Sequence, residues 1–314
     1  MKRSHANLLL LLAGATWGMG FIAQAQAMDS IGPFLFIGLR FLVATLVVLP
    51  FALREAARHR EKSAQRSAEQ CDLQSLTRLD YLKFALIGLA LFSGMATQQV
   101  GLLTTSVTNS GFLTGLYVVF TPLLVVVLFR EKPHSIVWVA ALVSLAGIFL
   151  LSGGNLAELV VGDLLTIGSA AFWALQVVMI ARFVGESGRP LALSLVQFAV
   201  TAAIALVLAL ILEPIVWSAI MDAAVQILYA GVVASGFAFT LQVIGQRYTS
   251  APQAAIFLSS EAPFAAFFAF LWLDERIALL GLAGCALIFG AMLAVELVPS
   301  WQANRLLKAN RPAS

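Results

Sequence analysis

Pro190 to Leu212 reads PLALSLVQFAVTAAIALVLALIL, 23 residues with no charge, in which only Ser194, Gln197 and Thr201 are polar. As a helix this stretch rises about 34 Å, enough to cross a hydrocarbon core of about 30 Å. It has no polar face to turn toward water, so the surface of a soluble domain has no place for it. Working outward, comparable runs near 6–28, 32–53, 82–103, 108–129, 134–152, 161–182, 223–246, 252–273 and 278–298 bring the predicted spans to ten. Composition agrees: 61% of residues are hydrophobic and 11% charged, where a soluble domain has roughly 45–50% and about 25%. The predicted fold class is therefore an all-α integral membrane protein. Met1-Lys2-Arg3 followed by Leu8 to Leu12 resembles a signal peptide, but the apolar run continues to Met28 and reads as the first span.

The basic residues orient the spans. Lys2, Arg3, Arg54, Arg58, Arg60, Lys62, Arg66, Arg78, Lys83, Arg130, Lys132, Arg182, Arg189, Arg247, Arg305, Lys308 and Arg311 all fall on one side if the N-terminus is cytoplasmic. The opposite loops carry Asp29, Glu158, Asp163, Glu213, Asp222, Asp274 and Glu275, with Arg276 their one base. Positive charge concentrates on the cytoplasmic side, so an even number of spans places both termini there. The net charge of +3 is accordingly a topology signal, and no nucleic-acid footprint is expected.

The halves resemble one another. Gly14-Ala15-Thr16-Trp17-Gly18 matches Ala170-Ala171-Phe172-Trp173-Ala174, and Arg40-Phe41 aligns with Gln197-Phe198. Leu103-Thr104-Thr105-Ser106 matches Tyr248-Thr249-Ser250-Ala251, and Arg130-Glu131-Lys132 echoes Asp274-Glu275-Arg276. With five spans each, the second half starts from the opposite side, giving two inverted five-helix repeats at 1–153 and 154–298, then a cytoplasmic tail at 299–314. Residues 54–81 are expected to form a solvated cytoplasmic linker.

Polar residues recur inside the spans at helical spacing. Ser110, Thr114, Tyr117 and Thr121 form one stripe, Ser235, Gln242, Gln246 and Thr249 share a face with Phe239, and Thr97, Gln98, Gly101 and Thr104 form a third. Trp17 and Gln24 in span one have a counterpart in Ser169, Trp173 and Gln176 in span six. Polar side chains at bilayer depth face a partner helix or a cavity. Their recurrence in both halves favours a shared aromatic and amide-lined cavity, with Trp17, Gln24, Gln98, Thr114, Tyr117, Trp173, Gln176, Gln242 and Glu261 as candidate substrate-binding residues. Such a lining suits small amphipathic metabolites and not polyanions.

Two charges sit near mid-span, Arg40 and Glu261. Pro263 is expected to free the Ser259 carbonyl, making Glu261 a candidate site for a cation or a substrate amine, and Pro122 to free that of Val118. Arg40 either ties helix ends together or serves the cavity. The glycine pairs Gly14/Gly18 and Gly111/Gly115 read as close helix contacts. Gly281, Gly284 and Gly290 permit close approach within one chain or between two, so a monomer and a homodimer both stay open.

No catalytic constellation accompanies these features. His5, His59 and His134 lie in loops or at a span edge, and no HExxH, GxSxG, Walker A or acid cluster occurs. Cys71 and Cys285 have no CxxC spacing. Neither an enzyme, a cofactor nor a metal is expected. What the residues describe is a carrier in the lipid bilayer with a small-molecule substrate.

With these residues in place, the chain resembles the EamA-type ten-span permeases of the drug/metabolite transporter superfamily over roughly 6–298. The carrying motifs are Gly14-Ala15-Thr16-Trp17-Gly18, Leu39-Arg40-Phe41, Asn109-Ser110-Gly111-Phe112-Leu113, Ser260-Glu261-Ala262-Pro263 and Leu273-Asp274-Glu275-Arg276. The resemblance implies an inner-membrane carrier, often an exporter of amino acids or related metabolites, with its cavity between the halves and spans five and ten peripheral; the mid-span carboxylate of Glu261 itself makes protons a candidate co-substrate. Where the family commonly reads Glu-Pro, this chain has Glu261-Ala262-Pro263. The four-span multidrug pumps of the superfamily use a glutamate in span one, where this chain has Trp17 and Gln24. Efflux of lipophilic cations on Glu261 is the alternative reading.

Overall fold

A computed structural model describes residues 1, 3–66, 76–105, 107–151, 160–273 and 278–309. Cys71, Ser106, Glu158, Asp274, Glu275, Arg276 and Arg311 lie outside the described residues, with the motif matches that use them. Every regular element among the described residues is a helix. The first half holds α1 (Arg3–Ala27), α2 (Pro33–Arg66), α3 (Arg78–Gly101), α4 (Val107–Thr114), α5 (Tyr117–Phe129) and α6 (Ser135–Leu151). The second holds α7 (Val161–Ser187), α8 (Pro190–Leu212), α9 (Trp217–Asp222), α10 (Ala224–Leu228), a π-helical segment (Tyr229–Phe237), α11 (Ala238–Gln246), α12 (Ala251–Leu258), α13 (Glu261–Leu273) and α14 (Leu279–Ala309). Among the described residues seven helices are long and apolar enough to cross a membrane, and Ser135–Leu151 is a shorter apolar one. Residues 54–66, expected as linker, continue α2 as helix.

Helix ends are set by local chemistry. Gly188 adopts φ +63° and closes α7 in the left-handed region, and Pro190 opens α8 where its missing N–H costs nothing. Pro33 opens α2 in the same way. α2 and α8 pack antiparallel through Phe41 against Phe198, ring centroids 5.7 Å apart. Each caps the other's first turn with a glutamate. Glu213, just beyond α8, accepts hydrogen bonds from the Phe34 and Leu35 N–H at 2.8 Å each. Glu55 of α2 accepts from the Leu191 and Ala192 N–H at 3.2 and 3.1 Å and pairs with Arg189 at 3.2 Å.

Glycines allow the closest approaches. A Cβ on Gly18 would sit 2.6 Å from the Ala265 nitrogen and 2.8 Å from the Glu261 carbonyl, and one on Gly14 would strike Ser260, so α1 lies directly on the α12/α13 junction. Gly111 differs from its expected role, with nothing within 4 Å of a built Cβ. Gly147 of α6 and Gly284 of α14 meet backbone to backbone, so Gly284 serves contact within the chain, whereas Gly290 faces open space.

Both halves interrupt their fourth helical segment midway. α4 gives way to α5 at Gly115-Leu116, and α12 to α13 at Ser259-Ser260. Pro263 therefore stands in the first turn of α13, where no intrahelical donor is lost. The Ser259 carbonyl, expected to be free, accepts from the Ala262 N–H at 3.3 Å. Pro122 does lie inside α5.

Candidate functional site

The two interruptions border one cavity. Thr114 and Tyr117 flank the first break, Leu258 and Glu261 the second, and all four line the cavity with Trp17, Gly20, Gln24, Arg40, Met95, Gln98, Trp173, Val177, Ala234, Phe239 and Gln242. Its volume is about 40 Å³. That is room for a few waters, so a metabolite would need the walls to part. A separate, wider cleft of about 890 Å³ lies between Phe129, Lys132, Arg182, Arg247 and Gln253, on the side that carries most of the basic residues.

One wall is aromatic. Phe239 contacts Trp17 at 4.5 Å, stacks on Trp173 at 5.7 Å and 13°, and meets Phe41 at 5.9 Å and Phe198 at 6.2 Å. The Trp17 indole N–H donates to the Ala234 carbonyl at 2.8 Å. Ala234 belongs to the π-helical segment, whose wider turn re-aims backbone groups in a way a regular helix would not. The neighbouring Ser235 holds Arg40.

Arg40 is buried within the long apolar stretch of α2. Its Nε donates to Ser235 Oγ at 3.0 Å and its Nη1 to Gln24 Oε1 at 3.1 Å, with Met95 Sδ 3.9 Å away. The guanidinium lies 5.5 and 5.3 Å from the ring centroids of Phe36 and Phe41. Among the described residues no ion pair reaches Arg40, and none joins it to Glu261.

Eight of the nine candidate residues from the sequence border this cavity, and Gln176 does not. Gln242 Nε2 donates to Gln176 Oε1 at 3.1 Å, and Gln176 Nε2 donates to Gln197 Oε1 at 3.3 Å, so Gln176 is the middle of an amide chain behind the wall. Helical spacing put Gln176 on the right face of α7, but Gln197 on α8 engages it. Gln98 donates to Thr114 Oγ1 at 2.7 Å across the cavity edge. Three other stripe residues are also used structurally: Ser169 bonds the Gly94 carbonyl, Gln246 that of Val177, and Thr97 that of Ser93. Gly20, Met95, Val177, Ala234 and Leu258 were missed because apolar lining residues look like core in a sequence. The Tyr117 hydroxyl, Trp173 Nε1 and Gln242 Oε1 are buried without a protein hydrogen-bond partner. Buried polar groups are normally satisfied, so a wall carrying three such atoms is one suited to meeting a polar ligand.

Among the described residues no group of three His, Cys, Asp or Glu side chains could hold a metal ion. Long apolar helices around a buried cavity lined by aromatic and amide side chains are the build of a polytopic membrane protein. The chain belongs to the EamA-like transporter family, whose pattern matches residues 5–153 and again 160–297. It is similar to an uncharacterized transporter of Archaeoglobus fulgidus, 29% identical over 301 residues that cover 95% of this chain and 87% of that one. A solved structure described only as the crystal structure of a protein shares the fold, with a TM-score of 0.74 at 19% identity over 98% of this chain and 99% of the other.

Proposed function

We propose that this protein is a secondary carrier, an exporter or facilitator, of small metabolites such as amino acids, working by alternating access around the aromatic and amide-lined cavity. The observation that carries this reading is the cavity itself, walled by helices of both halves and bordered by a helix break from each. Discontinuous helices at the interface of inverted repeats are a recurrent way to build a transport site. The reciprocal caps of α2 and α8, each a proline-opened helix held by the other's glutamate, support two inverted five-helix repeats. On that reading α12 with α13 forms one span, α4 with α5 another and α9 to α11 a third, ten in all, with both termini in the cytoplasm and the protein in the inner membrane. Protons are the candidate coupling ion, with Glu261 the group to carry them.

Export of lipophilic cations is a second reading. It is favoured by Glu261, which lines the cavity and has no hydrogen-bond partner among the described residues.

Uptake of a radiolabelled amino-acid panel into proteoliposomes, with and without a pH gradient, tests the proposal. Saturable uptake that is lost in Trp17→Ala supports it, and the gradient response decides coupling. No uptake of any amino acid into vesicles of folded protein refutes the amino-acid reading.

A further inference from the structure

The guanidinium of Arg40 is a fixed buried cation with neutral partners only. Ser235 and Gln24 orient it, Met95 and the rings of Phe36 and Phe41 surround it, and among the described residues no carboxylate neutralises it. A charge at this depth is costly to keep and tends to be retained for a partner or a ligand. An arginine carries five N–H donors. Those on Nε and Nη1 are directed at Ser235, Gln24 and Met95, whereas Nη2 has no hydrogen-bond partner among the described residues, in a side chain that borders the cavity and is 2% exposed.

We propose that Arg40 is the carboxylate-binding group of the cavity, presenting Nη2 to a substrate's carboxylate. This rests on the carrier reading above and narrows it. Of the described residues that line the cavity only Arg40 is basic, so this lining offers one positive charge, matched to a monocarboxylate and too little for a phosphate dianion or a polyanion. Glu261, the cavity's other charge, comes from the second half and is suited to an ammonium. With Glu261 ionised, the pair makes the site neutral as a whole and complementary to a zwitterion, with Trp17 and Phe239 left for an apolar side chain. A lipophilic amine without a carboxylate would leave Arg40 buried and unneutralised.

The test compares phenylalanine, 3-phenylpropionate and phenethylamine, which share a ring and differ in charged groups. Binding to purified protein is read from tryptophan fluorescence, since Trp17 and Trp173 border the cavity. Uptake is read in proteoliposomes. Both carboxylates are expected to bind at least about tenfold more tightly than the amine, the scale of one charge-assisted contact. Arg40→Gln should erase that preference and Arg40→Lys keep part of it. Should Arg40→Gln fail to fold, the wild-type ranking and Arg40→Lys decide. Amine binding as tight as that of phenylalanine, a preference that survives Arg40→Gln, or no binding of either carboxylate at millimolar concentration overturns the proposal. Arg40-dependent carboxylate binding without uptake sustains the subsite and removes the carrier reading instead.

Discussion

Replacing Glu55 should cost far more than its place near the membrane face suggests. Its carboxylate caps two N–H groups of α8 and pairs with Arg189 at 3.2 Å, and the two side chains are only 12% and 9% exposed. Glu55→Gln keeps the shape but removes the charge, leaving the guanidinium without its counter-ion and the first turn of α8 with a weaker acceptor. Removing one partner of a buried pair costs about 3–5 kcal/mol. The small residual exposure lets water recover part of that, which favours about 3 kcal/mol. At about 2 °C per kcal/mol for a large chain, the apparent melting midpoint should fall by about 6 °C. The assay is thermal aggregation in detergent followed by size exclusion, at a fixed heating time because such unfolding is usually irreversible. Glu186→Gln is the control. Its pairs with Lys83 and Arg182, both at 3.0 Å, involve side chains 26–49% exposed, and such pairs contribute about 0–1 kcal/mol. Arg189→Met should fall between the two, because Glu55 keeps its backbone donors. Equal midpoints for Glu55→Gln and Glu186→Gln would refute the reasoning.

The remaining tests probe the helix contacts and the cavity wall. Gly18→Ala should lower the monodisperse yield sharply, since its Cβ meets backbone atoms of α13 at 2.6–2.9 Å, whereas Gly20→Ala, with its nearest atom at 3.6 Å, should be tolerated. Gln176→Leu should destabilise more than Gln242→Leu although only Gln242 borders the cavity, because it leaves two amides without a partner at about 1–3 kcal/mol each; equal thermal midpoints would count against the amide chain. Trp17→Phe removes the donor to the Ala234 carbonyl but keeps a ring, so it should be about 1–3 kcal/mol less stable, read as a lower thermal midpoint, while retaining more uptake than Trp17→Ala.

Hydropathy made most of the long helices legible, because apolar length is a property of one segment at a time. Interruptions were less so. Pro122 and Pro263 pointed near them, but the breaks fall at Gly115-Leu116 and Ser259-Ser260, several residues earlier. Once a helix ends at Ser259, Pro263 occupies a first turn and breaks nothing. The π-helical segment left no periodic mark, since nine residues are too few to distinguish its turn from an α-helical one. Polar stripes located the cavity because polar groups at bilayer depth must face something other than lipid. They could not separate a wall residue from one tied to a neighbouring helix. Gln176, Ser169 and Thr97 share their faces with true lining residues, and their partners lie on other helices or on their own backbone.

Where the two ionisable groups of the cavity come from bears on how a ligand could drive motion. Arg40 belongs to the first half and Glu261 to the second, while each break in a fourth helical segment sits beside the same cavity. A simple carboxylate satisfies only the first half and a simple amine only the second. A zwitterion satisfies both, so its binding energy depends on how far apart the halves stand. Conformations differ in their affinity for a ligand only through such differential contacts, and the cavity as it stands is too tight for a metabolite. On the carrier reading proposed above, the wall opens to admit the ligand, and closure is favoured by one that bridges the two charges. On this argument phenylalanine should protect the α1–α13 contact at Gly18 from hydrogen exchange, and phenethylamine should not; equal protection by both would detach closure from the charge pair.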